Sequence, residues 1–194
     1  MNCQEAASLL KKNIEQIMVG SEQSCGLIMM SLLAGGHILL EDVPGTGKTT
    51  IARILAKYLK AIGALRGGQL VEVTRADLVG RYVGHTAPLT NSVIQSALGG
   101  VLFIDEAYAL YRGGEDSFGL EAIDTLVKGI EDHRDDLVVI LAGYTKEMQL
   151  FLSANSGLAS RFPNQIEFPD YTGEELYKIL CSIARSKGYT LDAA

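Results

Sequence analysis

The chain has 194 residues, 47% of them hydrophobic, which is enough to bury one substantial core and too few for two ordinary domains and a linker. Lys and Arg number 17 against 23 Asp and Glu, and the formal charge of −6 excludes the basic footprint of a nonspecific nucleic-acid binder. Three cysteines, Cys3, Cys25 and Cys181, lack any paired metal spacing and suit reduced, packed thiols in a cytoplasmic protein.

Residues 4–18 and 21–34 carry helical patterns, and Lys11 and Lys12 sit inside an amphipathic stretch rather than a signal-peptide layout. The apolar stretch from Gly26 to Leu40 is broken by Ser31, two glycines and His37; it falls short of the ~18 residues of a membrane span, so no membrane insertion is expected. A buried strand follows at 37–41, and an amphipathic helix runs from Thr49 to Leu59. Between them lies Asp42-Val43-Pro44-Gly45-Thr46-Gly47-Lys48-Thr49-Thr50, placed where a phosphate-binding loop belongs. Gly45 and Gly47 let backbone N–H groups turn inward around phosphates, Lys48 reaches the outer phosphates, and Thr49 offers its hydroxyl to Mg²⁺. Pro44, Thr46 and Thr50 complete this binding segment. The usual spacing asks for glycine at position 42, where this chain has Asp42; on the loop alone, a Gly-rich turn capping a helix stands as the plain alternative.

Further along, residues 69–73 read as a second strand and 101–104 as a third, ending in Asp105-Glu106. This segment resembles a Walker B strand, with Asp105 as Mg²⁺ ligand and Glu106 as the general base that orients and deprotonates the attacking water. The simpler alternative is a helix whose first turn carries acids to favour its dipole. A helix is predicted from Gly119 to His133, strands at 137–142 and 165–168, and a last amphipathic helix from about Thr172 to Lys187. Five strands separated by helices predict an α/β three-layer P-loop fold with a five-stranded parallel sheet, whose ligands sit beyond the carboxyl ends of the strands.

From about Asp42 to Tyr189 the chain resembles the AAA+ ATPases of the group containing the red-type Rubisco activase CbbX, the stage V sporulation protein K and the type VII secretion ATPases. The resemblance rests on Arg75-Ala76-Asp77-Leu78-Val79-Gly80, Tyr82-Val83-Gly84-His85-Thr86, Gly99 to Tyr108, Glu121 to Val127, Leu141-Ala142-Gly143-Tyr144 and Ser160-Arg161-Phe162-Pro163, in that order. Residues 17–22 and 33–45 are more similar to the MoxR branch, where an aspartate before Val-Pro-Gly is familiar.

The resemblance implies ATP and Mg²⁺ as ligands, a homo-oligomeric ring, hexameric in relatives, and a protein client. It implies that Tyr82, Val83 and Gly84 form a pore loop, a buried tyrosine beside a turn being the alternative, with Arg81 and His85 as pore-lining or solvated groups. Arg161 matches an arginine finger offered to a neighbour's ATP; a surface arginine paired with an acid is its alternative, and Arg134 is a weaker candidate. Val19 and Gly20 border the adenine. The sensor position lacks its common asparagine, and Thr145 is the residue there able to polarise the water, while Tyr144 packs. Residues 1–170 make the nucleotide-binding core, with N-terminal helices over 1–36, and 171–194 open a helical lid that is otherwise missing. Two other functions fit the same residues: a nucleotide-binding assembly module with little turnover, and a MoxR- or chelatase-like maturation factor.

Overall fold

Continuous apolar runs in this chain become strands buried on both faces. The computed structural model describes residues 28, 31, 36–42, 48–168, 172–186 and 188–189. The strands are β1 (Ile38–Asp42), β2 (Leu70–Val73), β3 (Val101–Ile104), β4 (Val138–Gly143) and β5 (Asn164–Phe168). They form one sheet in the order β2-β3-β4-β1-β5, and every pairing is parallel. Because side chains alternate across a strand, each apolar run feeds two cores. Ile38, Leu40, Phe103, Ile140 and Ile166 face Ile51, Leu55 and Leu59 of helix α1 (Lys48–Ala61). Leu39, Leu102, Ile104, Val139 and Leu141 face the opposite way, onto Ile94 of α3 (Thr86–Ala97) and Ile123, Leu126 and Ile130 of α4 (Ser117–Asp132). Each such side chain, fully buried, stabilises the fold by roughly 1.5–3 kcal/mol.

The predicted strands and the helices at α1, α4 and α7 (Gly173–Ser186) are present with ends displaced by a residue or two. A capping box closes α7, where Glu175 Oε2 accepts the Thr172 N–H at 2.8 Å and Thr172 Oγ1 accepts the Glu175 N–H at 3.3 Å. The helices predicted over 4–18 and 21–34 lie outside the described residues, apart from Ile28 and Ser31, which are helical.

Patterning did not announce α2 (Arg75–Leu78), α3, a 3₁₀ turn at Ala107–Leu110, α5 (Thr145–Ser153) or α6 (Ser156–Arg161). Helix α3 hides because two of its buried positions are threonines: the Thr90 hydroxyl donates to Leu78 O at 2.9 Å, and Thr86 Oγ1 accepts the Gly80 N–H at 3.1 Å. Helix α6 is too short for a period to develop; its signal is the cap, Asn155 Oδ1 accepting the Gly157 N–H at 2.7 Å.

Candidate functional site

Parallel strands all point their carboxyl ends to one edge, and a strand leading into a helix there presents its last side chains and the helix N-terminus to solvent. In this sheet, Ile104 of β3 and Leu39 of β1 both pair with Leu141 of β4, so Asp105 leaves the sheet one residue beyond that row. The Asp105 N–H is held by Val73 O at 3.0 Å. Lys48, Thr49 and Thr50 form the first turn of α1, directly after β1 and its loop. Thr49 is half-buried, whereas Lys48 and Thr50 are placed by their backbone. Pro44, Gly45, Thr46 and Gly47 of the predicted loop, and Val19 and Gly20 assigned to the adenine, lie outside the described residues.

Glu106 stands in an unusual backbone. Its φ of 49° and ψ of 44° are left-handed, and it is the one non-glycine residue with positive φ among the described residues. A side chain there costs on the order of 1–2 kcal/mol relative to ordinary helical geometry. The turn is held by Asp105 Oδ1, which accepts the Glu106 N–H at 3.0 Å, and by the Ala109 N–H donating to Glu106 O at 2.8 Å. The result lifts an exposed Glu106 off the end of β3. The simpler sequence alternative, two acids within a helix's first turn, is therefore not what forms: both precede the 3₁₀ turn, and Glu106 is its cap. Asp105, Glu106, Thr74 and Arg112 line an open cleft of about 480 Å³.

Two residues that sequence patterning passed over lie at this carboxyl edge. Burial first, then the charge of Glu106 two residues earlier, holds the Tyr108 phenol above its ordinary range. Its ring packs on Tyr144 with centroids 5.7 Å apart, so Tyr144 does pack, as expected. Glu41, the last residue but one of β1, is in register with Gly143 and Glu167, is only 6% exposed, and has an Oε1 without a hydrogen-bond partner. Burial, then the charge of Glu167, pushes its carboxyl above the usual range, and a hydrogen bond with Thr145 pulls it back. Thr145, the expected sensor, thus begins α5 at the same edge, tied to a buried acid. A lone glutamate closing an apolar run gives no sequence signal of this contact.

Arg161 lies elsewhere. It is three residues ahead of Asn164, which pairs with Ile38 at the start of β1, so it occupies the opposite edge of the sheet. The length of β1 alone separates the two edges by about 13 Å. There Arg161 Nη2 donates to Glu131 Oε2 at 2.9 Å and Nη1 to Gly157 O at 3.1 Å, while its buried Nε has no partner. The predicted alternative, an arginine paired with an acid, is realised within the chain. His37 is also at this edge, its Nδ1 accepting the Val139 N–H at 3.1 Å and its ring against Phe162. Burial first, then the Arg161 charge, lowers its pKa from 6.5 to about 4, with Glu131 opposing. Arg134 is exposed beyond α4 and 3.8 Å from Asp135.

Tyr82 and Val83 are 68% and 88% exposed, which removes the alternative of a buried tyrosine. The turn carrying them closes with the His85 N–H on Tyr82 O at 3.1 Å and needs Gly84, whose φ is 79°. The Tyr82 and His85 rings meet edge-on at 5.5 Å, leaving His85 exposed beside the tip with Arg81. Among the described residues, no helix is long and apolar enough to cross a membrane.

Comparison with known proteins agrees with this architecture. The profile of the ATPase family associated with various cellular activities (AAA) matches residues 38–170. Stage V sporulation protein K of Bacillus subtilis is 52% identical over 155 residues, 80% of this chain and 48% of its own length. Protein CbbX of Cereibacter sphaeroides is 51% identical over 156 residues, 80% of this chain and 50% of its own. The chloroplastic ribulose bisphosphate carboxylase/oxygenase activase of Cyanidioschyzon merolae is 49% identical over 175 residues, 90% and 57% respectively. The chain thus spans about half the length of the curated relatives it matches. With the β2-β3-β4-β1-β5 parallel sheet, the acids ending β3 and the profile match across all five strands, the chain belongs to the AAA family of ATPases.

Proposed function

We propose that this chain is the nucleotide-binding core of a cytoplasmic AAA+ ATPase that assembles into a ring, hydrolyses MgATP between subunits and remodels a protein client through Tyr82, Val83 and Gly84. The observation that carries it is the division of labour across the sheet. Thr49, Asp105, Glu106 and Thr145 gather at the carboxyl edge, and Arg161 stands about 13 Å or more away at the other. On this reading Arg161 serves the site of a neighbouring subunit. The relatives' names include a Rubisco activase, which supports a protein as client. Residues beyond β5, including α7, belong on this reading to the helical lid.

The residues present fit the expected ligands. α1 is the next described element after β1, and its first turn offers N–H groups to phosphate oxygens, with Lys48 at its start. Thr49 and Asp105 are hard oxygen donors of the kind Mg²⁺ takes alongside phosphate and water, and they would hold it. When bound, the ion offsets charge on the β- and γ-phosphate oxygens. Glu106 accepts the proton of the attacking water, and its raised, left-handed position leaves the carboxylate free of the sheet. Thr145 starts α5 at the same edge, and its single hydroxyl proton goes to Glu41 or, on turning away from that carboxylate, to the water or the γ-phosphate. The neighbour's Arg161 stabilises charge in the transition state, an effect on the order of 10³–10⁵ in rate.

Mixing two inactive variants tests this. Glu106→Gln and Arg161→Ala are each expected to bind ATP without turnover, and together to recover turnover, since a mixed pair holds one site with Glu106 from one subunit and Arg161 from the other. Turnover that is independent of protein concentration, or no recovery on mixing, would overturn the shared site. Tyr82→Ala is expected to keep ATP binding and lose client remodelling.

A further inference from the structure

Arg75 opens the segment that resembles the family, yet no step of the hydrolysis above uses it. Its side chain is only 17% exposed, and both terminal nitrogens are engaged. Nη1 donates to Ala109 O at 3.0 Å and to Leu110 O at 3.1 Å, and Nη2 to Asp116 Oδ1 at 3.1 Å, with Asp116 Oδ2 2.7 Å from Nη1. Those two carbonyls belong to the 3₁₀ turn that Glu106 caps. Asp116, 14% exposed, accepts the Gly119 N–H at 3.1 Å and so caps α4. The guanidinium beside it holds the Asp116 carboxyl below the usual range.

At its other end Arg75 is the first residue of α2. That helix is fixed by Thr74 and Asp77, with the Thr74 N–H on Asp77 Oδ2 at 2.9 Å, and runs through Val79 and Gly80 into the exposed Tyr82 tip. No strand or helix intervenes between α2 and that tip. Among the described residues, three hydrogen bonds thus join the acid-bearing strand end and its turn to the segment leading to the tip: Asp105 N–H to Val73 O, a sheet bond, and the two from Arg75 to Ala109 O and Leu110 O. The sheet bond fixes Asp105, and the Arg75 fan follows Glu106.

We propose that Arg75, held by Asp116, is a positioning residue that makes the Tyr82 tip move with the Glu106 turn, so that nucleotide state at the acids is read at the tip. The inference rests on the reading of the acids and the tip given above. A planar guanidinium suits the task because it binds two carbonyls and a carboxylate at once in fixed geometry, which a lysine ammonium does not reproduce.

The chain has no tryptophan, so Tyr82→Trp installs a single reporter at the tip. In a Glu106→Gln, Tyr82→Trp background, the emission of that tryptophan is recorded on addition of ATP and of ADP, and affinity is measured with a fluorescent ADP analogue. Adding Arg75→Lys is expected to leave affinity within about twofold and to reduce the difference between the ATP and ADP signals at least about fivefold. Asp116→Asn keeps an N-cap acceptor for Gly119 while removing the ion pair, and is expected to do the same should Arg75→Lys fold poorly. A residue that only held the fold together would lower the melting temperature without changing the signal per bound nucleotide. Signals retained within about twofold in a folded variant would overturn the proposal, as would a background that binds nucleotide with no change at the tip. A background that binds no nucleotide would instead overturn the functional reading beneath it.

Discussion

His37 makes the fold sensitive to acid in a way that can be measured. Unfolded, it titrates near 6.5; in the sheet, burial and the Arg161 charge bring it to about 4. Between those values the unfolded chain binds a proton that the folded chain does not, so stability rises with pH and is lost as pH falls from about 6.5 toward 4. The full window corresponds to about 3 kcal/mol, a sizeable part of the ~5–15 kcal/mol that holds a domain together. Protonation would also cost Nδ1 its role as acceptor of the Val139 N–H. His37→Asn retains an acceptor near that position and carries no charge. Urea unfolding of both proteins between pH 7 and 4.5 should therefore show their difference in stability changing by about 2–3 kcal/mol in favour of the variant at the acid end. Glu41, whose carboxyl is raised, acts in the opposite sense above pH 4.5, but it is common to both chains and cancels in the difference. A difference that stays within about 0.5 kcal/mol over this range would refute the reasoning.

Glu106→Asn should abolish ATP turnover and yet raise the unfolding free energy by about 0.5–1 kcal/mol, since asparagine tolerates a φ of 49° better than glutamate does; calorimetry and a phosphate-release assay check the two halves. Glu41→Gln should help stability more at pH 8 than at pH 5, because the folded carboxyl loses its proton only above the unfolded value and its charge is then buried; chemical denaturation at both pH values measures the sign of that difference. Gly119→Ala, favourable by helix propensity, should instead destabilise by about 1–3 kcal/mol, as its methyl would meet the Leu110 carbonyl and come within 2.6 Å of Asp116 Oδ2; a thermal melt decides the sign. Phe103→Ala in β3, where the side chain is 1% exposed, should cost about 3–5 kcal/mol by the same assay.

What the sequence makes legible follows from how each feature is encoded. The strands are written as contiguous β-branched and apolar runs, and the acids at 105–106 follow one such run directly, so order, fold and the strand-end acids can be read locally. Glu41 with Thr145 and Arg75 with Asp116 are contacts between elements brought together by sheet order, whereas Tyr108 neighbours Glu106 within one 3₁₀ turn whose left-handed cap no residue pattern announces. Position 41 becomes a neighbour of 145 only because β1 is inserted beside β4, skipping the two strands between them in sequence. Helix α3 escaped because threonine can be buried when its hydroxyl bonds a backbone carbonyl, a condition a hydropathy pattern does not carry.

Arg161 shows how topology turns a local motif into a statement about assembly. Its residue type and setting ahead of β5 can be read in sequence, but the edge of the sheet it occupies depends on β5 being parallel to β1. Were β5 antiparallel, the residues before it would meet the carboxyl end of β1, and the same arginine could reach its own chain's phosphates. Parallel pairing puts it with His37 and Glu131 at the amino edge. The Glu131 ion pair then has a consequence for assembly. Arg161 can turn to a neighbour only by exchanging one oxyanion for another, so a Glu131→Gln chain should assemble on ATP at lower protein concentration than the parent while needing Arg161 as strictly. Equal concentration dependence in sedimentation runs of the two chains would mean that Glu131 does not compete for the guanidinium.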